Sequence, residues 1–299
     1  MIIESVPSEL QPKYKSSYPG YSSGNNLEEI YYKYFLKYKD EIKTDRIYLP
    51  VFWTSYYVTH GYGERIELSY KWLNTLDKSK KYFTVVQYAS GIYVPNYDLD
   101  LKVFSAGGGG LNKKNECVRI EKYEGNTQHV FYGKKGDIDI PLMCMPLFPC
   151  TGIKKDIFCS FMGRLNTHRC RYTLRNTLQK DPRYHFYNGK GFEEYKQIVN
   201  RSVFTLAPRG YGYTSFRIYE AILADSIPIY VWEDKKVLPF EDILDWSSFC
   251  IIIHSSKINK LSEILNNVNI DQYMKKLREV KSQFNFDDTF HYMVKCLGD

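Results

Sequence analysis

Residues 202–232 read SVFTLAPRGYGYTSFRIYEAILADSIPIYVW, and this stretch decides the fold. VFTLA is an apolar run of strand length, rich in β-branched and aromatic residues, that stops at Pro208. Arg209, Gly210 and Gly212 form a loop, and Thr214 and Ser215 are good N-caps for the helix that opens behind them. SIPIYVW then returns to a buried strand. A strand, a glycine-bearing turn, a helix and a second apolar strand make one βαβ unit, which requires a parallel sheet. Glycine lets the backbone approach a ligand closely. A helix N-terminus offers unpaired N–H groups and partial positive charge to an anion. Arg217, in the first turn, adds a forked donor suited to phosphate. Glu220, three residues on, shares its helix face, where a carboxylate can accept both hydroxyls of a ribose. The plainer alternative is a structural Arg–Glu pair on a solvated helix. Phe216, Ile218, Ala221 and Ile222 make this helix apolar around much of its circumference, which favours a ligand. Residue chemistry alone reaches a phosphate-containing one.

Working outward, the alternation continues on both sides. DIFCSFMG, YHFYN, SVFTLAP, SIPIYVW and FCIIIHS read as strands, separated by helical patterns at 168–179, 192–200 and 215–224. Three helical segments begin near Asn259, Asp271 and Asp287. Before residue 145, RIYLPVFW, YFTVVQY, LKVFSA and IDIPLMC read as strands, with helices from Asn25 and around 66–76 and an aromatic loop running to Gly63. The first twenty or so residues carry prolines without periodicity and read as an arm. A Pro/Gly-bearing segment at 145–155, MPLFPCTGIKK, sets the expected boundary: an N-terminal α/β domain over 1–150 and a second over 151–299, whose closing helices could return to the first. The fold class is α/β, two Rossmann-like domains with parallel sheets facing a cleft.

Composition narrows the class. The chain has 299 residues, 43% apolar and 25% charged, so disorder and fibrous repeats are excluded. No apolar run approaches the roughly 20 residues of a membrane helix, and MIIESVPSEL lacks the flank and apolar run of a signal peptide. Lys+Arg 41 against Asp+Glu 34 gives +7, mildly basic and compatible with an anionic small ligand. Nucleic acid would call for a denser basic stripe. The seven cysteines are scattered, form no C-x-x-C pair and neighbour no histidine at zinc-ligand spacing, so we expect free thiols in a reducing compartment and no structural metal.

A second cluster, FMGRLNTHRCRYTL over 161–174, places Arg164, Arg169 and Arg171 at another strand-to-helix turn. Basic residues there oppose the helix dipole, a local cost that points to a second anion clamp. Together the two clusters resemble the C-terminal half of exostosin-type glycosyltransferases, glycosyltransferase family 47. That family's pattern is a strand, a Pro-x-Gly loop, an S-F-R-x-x-E-A helix, an I-P-V strand and a later L-P-F…W segment. The likeness covers about residues 157–253, with LPFEDILDWSSFCIII in its place, and is loose before that.

The resemblance implies a GT-B fold, a donor nucleotide-sugar bound by the second domain, and an inverting, metal-independent transfer to a glycan acceptor, with a UDP-sugar the expected donor. Carried over residue by residue, it implies that Arg217 and Arg171 contact the diphosphate, assisted by Arg164. Glu220 would hold the ribose, Thr214 and Ser215 would cap the helix beside the phosphates, and Arg209 and Gly210 count among the donor-nucleotide-binding residues. Asp225 stands where the family has glycine in the turn before I-P; aspartate tolerates left-handed geometry, so the turn should survive. No cofactor is expected, and the absence of an anchor-like segment suggests a cytosolic enzyme of bacterial or viral type. A nucleotide-sugar- or glycan-binding protein without catalysis is the competing reading.

Such a transfer needs a base on the acceptor side. His60 and Asp98 are the candidates, with Glu64 and Asp100 beside them; His60 has the better intrinsic pKa, near 6.5. Asp98-x-Asp100 and Asp137-x-Asp139 each fit a short metal pattern that also arises by chance. The run Gly107–Gly110 lacks the Lys and Ser/Thr of a P-loop and reads as a flexible turn. Tyr56, Tyr57, Tyr62 and Tyr93 could stack on sugars.

Overall fold

The computed structural model describes residues 1–14, 25–89, 91–95, 97–112, 117–123, 126–131, 136–143, 153–187 and 191–298. Two compact units emerge: Met1–Ile120 with His129–Pro141 and Phe286–Asp299, and Glu121–Gln128 with Leu142–Asn285. The expected boundary at 145–155, with Cys144 and Cys150 in or beside it, lies mostly outside the described residues.

Up to Pro141 the chain runs α1 (Leu27–Tyr38), β1 (Arg46–Tyr48), α2 (Trp53–Thr59), α3 (Glu67–Leu73), β2 (Lys81–Val86), β3 (Ile92–Tyr93), β4 (Asp100–Ser105), β5 (Leu111–Asn112), β6 (Cys117–Tyr123), β7 (Asn126–Phe131) and β8 (Ile138–Asp139), of which residues 121–128 of β6 and β7 count with the second unit. Among the described residues β1-β2-β4-β8 form a parallel sheet, while β3 pairs β5 and β6 pairs β7. β2 is buried from Tyr82 to Val86, as a parallel strand covered on both faces must be. The chain's last helix, α9 (Phe286–Leu297), belongs to the first unit. Its Phe290 ring lies 5.1 Å from Phe35 on α1, and its terminal carbonyls at Cys296 and Leu297 accept from Lys102 Nζ and Thr44 Oγ1.

Three expectations change here. The opening residues are built into the unit: Tyr48 N–H donates to Ile2 O, Glu4 N–H donates to Tyr48 O, and Leu10 is buried. A two-residue edge contact has no periodicity to read. The aromatic loop after β1 begins with a helix, α2, held by Trp53 Nε1 donating to Thr84 Oγ1 at 2.8 Å. Burial of Trp53, Tyr56 and Tyr57 overrides the low helix propensity of this β-branched and aromatic run. The glycines at 107–110 are buried rather than flexible. A Cβ on Gly107 would stand 2.5 Å from Ala89 Cα, so close backbone packing demands glycine.

The second unit alternates strand and helix from β9 to β12: β9 (Ile157–Met162), α4 (Arg169–Leu178), β10 (Tyr184–Tyr187), α5 (Phe192–Arg201), β11 (Ser202–Pro208), α6 (Phe216–Leu223) and β12 (Ile227–Trp232), followed by β13 (Ile251–His254), α7 (Leu261–Asn266) and α8 (Ile270–Val280). The sheet order is β10-β9-β11-β12-β13, every pair parallel. Strand order therefore reverses between β9 and β11, and open α/β sheets bind ligands outside the carboxyl ends of the strands at such a switch point. Asp225 takes a left-handed φ of 48°, its carboxylate held by Lys281 Nζ at 2.8 Å. Both halves are thus α/β on parallel sheets, as expected of a GT-B chain. Among the described residues, no helix is long and apolar enough to cross a membrane.

The first unit carries one buried carboxylate whose ionisation should show in stability. Glu28 is 1% exposed; its Oε1 accepts from Thr54 N–H, Thr54 Oγ1 and Gln87 N–H, while Oε2 has no hydrogen-bond partner. Burial pushes its carboxyl above the usual value of 4.5. The unfolded chain therefore ionises first, and the group's contribution to stability falls as pH rises through the ordinary carboxylate range. Denaturant unfolding of Glu28→Gln should gain on the wild type between pH 4 and pH 7; a difference constant across that range would contradict this.

Candidate functional site

Three strand ends in the second unit point the same way: β9 into Gly163, β11 into Arg209, β12 into Glu233. Loops leaving adjacent parallel strands expose carbonyls that need donors. Arg171, on α4 and only 4% exposed, supplies them across the switch point. Its Nε donates to Arg209 O at 2.9 Å, Nη2 to Pro208 O at 3.1 Å and Nη1 to Arg164 O at 2.8 Å. Arg171 thus bridges the two loops. Arg164 is exposed and contributes its carbonyl to that bridge. Arg209 turns inward at 1% exposure, its Nη1 donating to Glu233 O at 3.0 Å and Asp234 Oδ2 at 2.6 Å. Three arginines alike in sequence have three roles. A Cβ on Gly210 would reach within 3.0 Å of Arg171 Nη2, so glycine suits that close approach.

At the start of α6 the expected cap is in place: Ser215 Oγ accepts from Arg217 N–H at 3.4 Å. Thr214 is 3% exposed, and its Oγ1 has no hydrogen-bond partner. Arg217 is half-buried and closely held. Its Nε donates to Met162 O at 2.8 Å, and its guanidinium carbon lies 5.4 Å from the Phe161 ring centre and 5.7 Å from that of Tyr195. Cations over aromatic faces at this range are attracted by the ring quadrupole. A Cβ on Gly163 would stand 2.1 Å from Arg217 Nη2, so only glycine leaves room for the guanidinium there. Glu220 is 1% exposed and accepts from the Tyr195 hydroxyl. Phe161, Gly163 and Tyr195 were not read as site residues. They lie on β9, on the loop after it and on α5, so no spacing within 202–232 could reveal them.

The first unit's candidates fare unequally. His60 caps α2, its Nδ1 2.8 Å from Tyr56 O. A carbonyl only accepts, so Nδ1 carries the hydrogen, and the neutral ring keeps its basic lone pair on Nε2. Asp98 stands at the amino end of β4, exposed and 3.7 Å from Lys78 Nζ, away from the strand ends where α/β sheets bind ligands. Asp100 pairs with Arg46 at 2.8 Å, and Asp137 Oδ2 accepts from Val103 N–H at 2.8 Å, so both acidic pairs have members engaged within the protein. Tyr56 and Tyr57 are core residues; Tyr62 is 63% exposed.

One group of metal-type ligands does form, contrary to the cysteine spacing argument. His168, Cys170 and Glu233 are buried, with donor atoms within 4.8 Å of one another. Their chemistry does not fit a cation. Cys170 N–H donates to His168 Nδ1, which uses that nitrogen's lone pair and leaves hydrogen on Nε2 of the neutral ring. Burial pushes the Cys170 thiol up to about 12, and Arg169 is paired with Glu233. Cys159, Cys170, Cys250 and Cys296 are free thiols.

The fold and site define a parallel α/β unit with an arginine packed at its switch point. A family model of the exostosin GT47 domain matches residues 120–268, and the chain is an exostosin-like GT47 protein. A probable glycosyltransferase of Arabidopsis thaliana is 28% identical over 190 residues, covering 58% of this chain and 36% of that protein. An exostosin-1 homolog of Caenorhabditis elegans is 29% identical over 106 residues, covering 36% and 27%. A probable glucuronosyltransferase of Oryza sativa subsp. japonica is 30% identical over 115 residues, covering 35% and 28%. The chain thus spans little more than a third of these relatives at most. A solved pneumococcal O-GlcNAc transferase, in complex with UDP and GlcNAc, matches at a TM-score of 0.41 and 12% identity, over 89% of this chain and 59% of that one.

The roles given to the arginines separate in stability. Arg171→Ala strands three carbonyls and should cost about 3 kcal/mol or more, whereas exposed Arg164→Ala should stay within about 0.5 kcal/mol of wild type. Equal costs in chemical denaturation would contradict the bridge.

Proposed function

We propose that this chain is a glycosyltransferase that moves a sugar from a nucleoside diphosphate donor, a UDP-sugar, to a hydroxyl of a glycan acceptor with inversion. The observation that carries the reading is Arg217, packed against the Phe161 and Tyr195 rings at the switch point, in the first turn of a helix whose entrance carries the unpartnered Thr214 hydroxyl. A diphosphate there meets a fixed guanidinium, amide N–H groups and a buried hydroxyl in need of a partner. The exostosin match over the same residues supports it.

In this reading the acceptor oxygen attacks the anomeric carbon from the side opposite the diphosphate. The carbon–oxygen bond to phosphate breaks as the new glycosidic bond forms, and negative charge grows on the departing diphosphate. Arg217 and the α6 amides stabilise that charge in the role a divalent ion plays elsewhere, because their donors are oriented before reaction begins. Glu220 holds the ribose hydroxyls. The attacking hydroxyl loses its proton to a base, and His60, with Nε2 its basic nitrogen, is the candidate favoured by residue chemistry. Arg171 and Arg209 keep the loops in register.

The test is turnover of UDP-sugars, followed by UDP release with and without an oligosaccharide acceptor. Arg217→Ala and Gly163→Ala should each lower kcat/KM by about 10²- to 10³-fold with circular dichroism unchanged, the second by displacing the same guanidinium. Glu220→Ala should act chiefly on the donor KM. Retained turnover in Arg217→Ala would refute the reading.

A further inference from the structure

Tyr195 belongs to α5, not to the strand–loop–helix of residues 202–232, yet it meets both residues on which the donor reading rests. Its hydroxyl donates to the Glu220 carboxylate, and its ring lies under the Arg217 guanidinium carbon at 5.7 Å. The ring is itself fixed, packed among Ile157 and Met162 of β9 and Ile198 and Val199 of its own helix at 9% exposure. A tyrosine so embedded cannot swing aside as a lid would. It holds the two charged groups at a set separation.

We propose that Tyr195 is a positioning residue that serves two halves of one donor through two different parts of its side chain. The inference rests on the reading of Arg217 and Glu220 as diphosphate and ribose contacts. The hydroxyl occupies one acceptor position on the carboxylate. This restrains the rotation of the Glu220 head group that the donor reading sets against the ribose diol. The ring, together with that of Phe161, keeps the guanidinium from leaving the place where Nε meets Met162 O. Glu220 and Arg217 lie three residues apart on one helix face, so one side chain packed against that face can reach both. Tyr195 meets each by different chemistry, a hydrogen bond for the anion and a π face for the cation. No contact between Tyr195 and the ligand is required.

Because the two functions use different atoms, two substitutions separate them. Tyr195→Phe keeps the ring and removes the hydroxyl; Tyr195→Leu removes both. Titration calorimetry would measure UDP, 2′-deoxy-UDP and UMP against each protein, with melting temperatures recorded alongside. Tyr195→Phe should weaken UDP about tenfold, the scale of a hydrogen bond to a charged group. It should leave 2′-deoxy-UDP nearly unchanged, so that ribose discrimination collapses while the UDP-to-UMP affinity ratio holds. Tyr195→Leu should also lower the UDP-to-UMP ratio, because the second phosphate loses its oriented arginine. A merely structural tyrosine would weaken all three ligands together in both variants, and that outcome would overturn the proposal. So would Tyr195→Phe binding UDP and 2′-deoxy-UDP as the wild type does. Wild type that binds none of the three overturns the donor reading itself and this inference with it, a result distinct from either of the others.

Discussion

The second unit depends on one buried guanidinium. Arg171 reaches from α4 across the switch point and donates to the carbonyls of Arg164, Pro208 and Arg209, tying the loop after β9 to the loop after β11. A parallel sheet leaves those carbonyls with no strand partner beyond its end, and water is excluded from most of them. With the loops tied, Gly163 and α6 are held in a fixed relation, and Arg217 finds its seat against the Phe161 and Tyr195 rings. The site is therefore pre-ordered by main-chain hydrogen bonding before any ligand arrives.

Pre-ordering is what the proposed chemistry needs. Charge that develops on a leaving diphosphate is best stabilised by donors that do not have to reorganise. Arg217 loses little freedom on binding, since its Nε bond to Met162 O and its two ring contacts already restrict it. Arg171 and Arg209 show the other use of arginine, as buried donors for carbonyls and for Asp234, where lysine's point charge could not span the partners.

Much of this was legible in the sequence because the second half is locally consistent. The run VFTLA forms a buried strand, Ser215 caps α6, and Asp225 adopts the left-handed turn expected of it. The alternation of strand and helix patterns set the sheet topology of this unit. What escaped was the fate of side chains that leave their own element. Arg164, Arg171 and Arg209 look alike at glycine-bearing turns, and only packing says which guanidinium faces carbonyls and which faces solvent. Tyr195 and Phe161 were invisible for the same reason. In the first unit the signals were weaker: α2 is made of residues that favour strands, and the glycines at 107–110 serve close backbone packing against Ala89 rather than mobility. Asp98 was attractive by residue type alone, a property that does not say at which end of a strand the carboxylate will stand.

The central claim is that a nucleoside diphosphate occupies the second unit's switch point through Arg217. Thermal unfolding of wild type and Arg217→Ala with UDP, GDP, CMP and TDP, each with and without manganese, tests it most directly. A ligand at a hundred times its dissociation constant adds about 2.7 kcal/mol, enough to move the midpoint by several degrees. The account predicts that UDP without metal stabilises the wild type and leaves Arg217→Ala unmoved. A shift seen only with manganese, or one of equal size in both proteins, would contradict it.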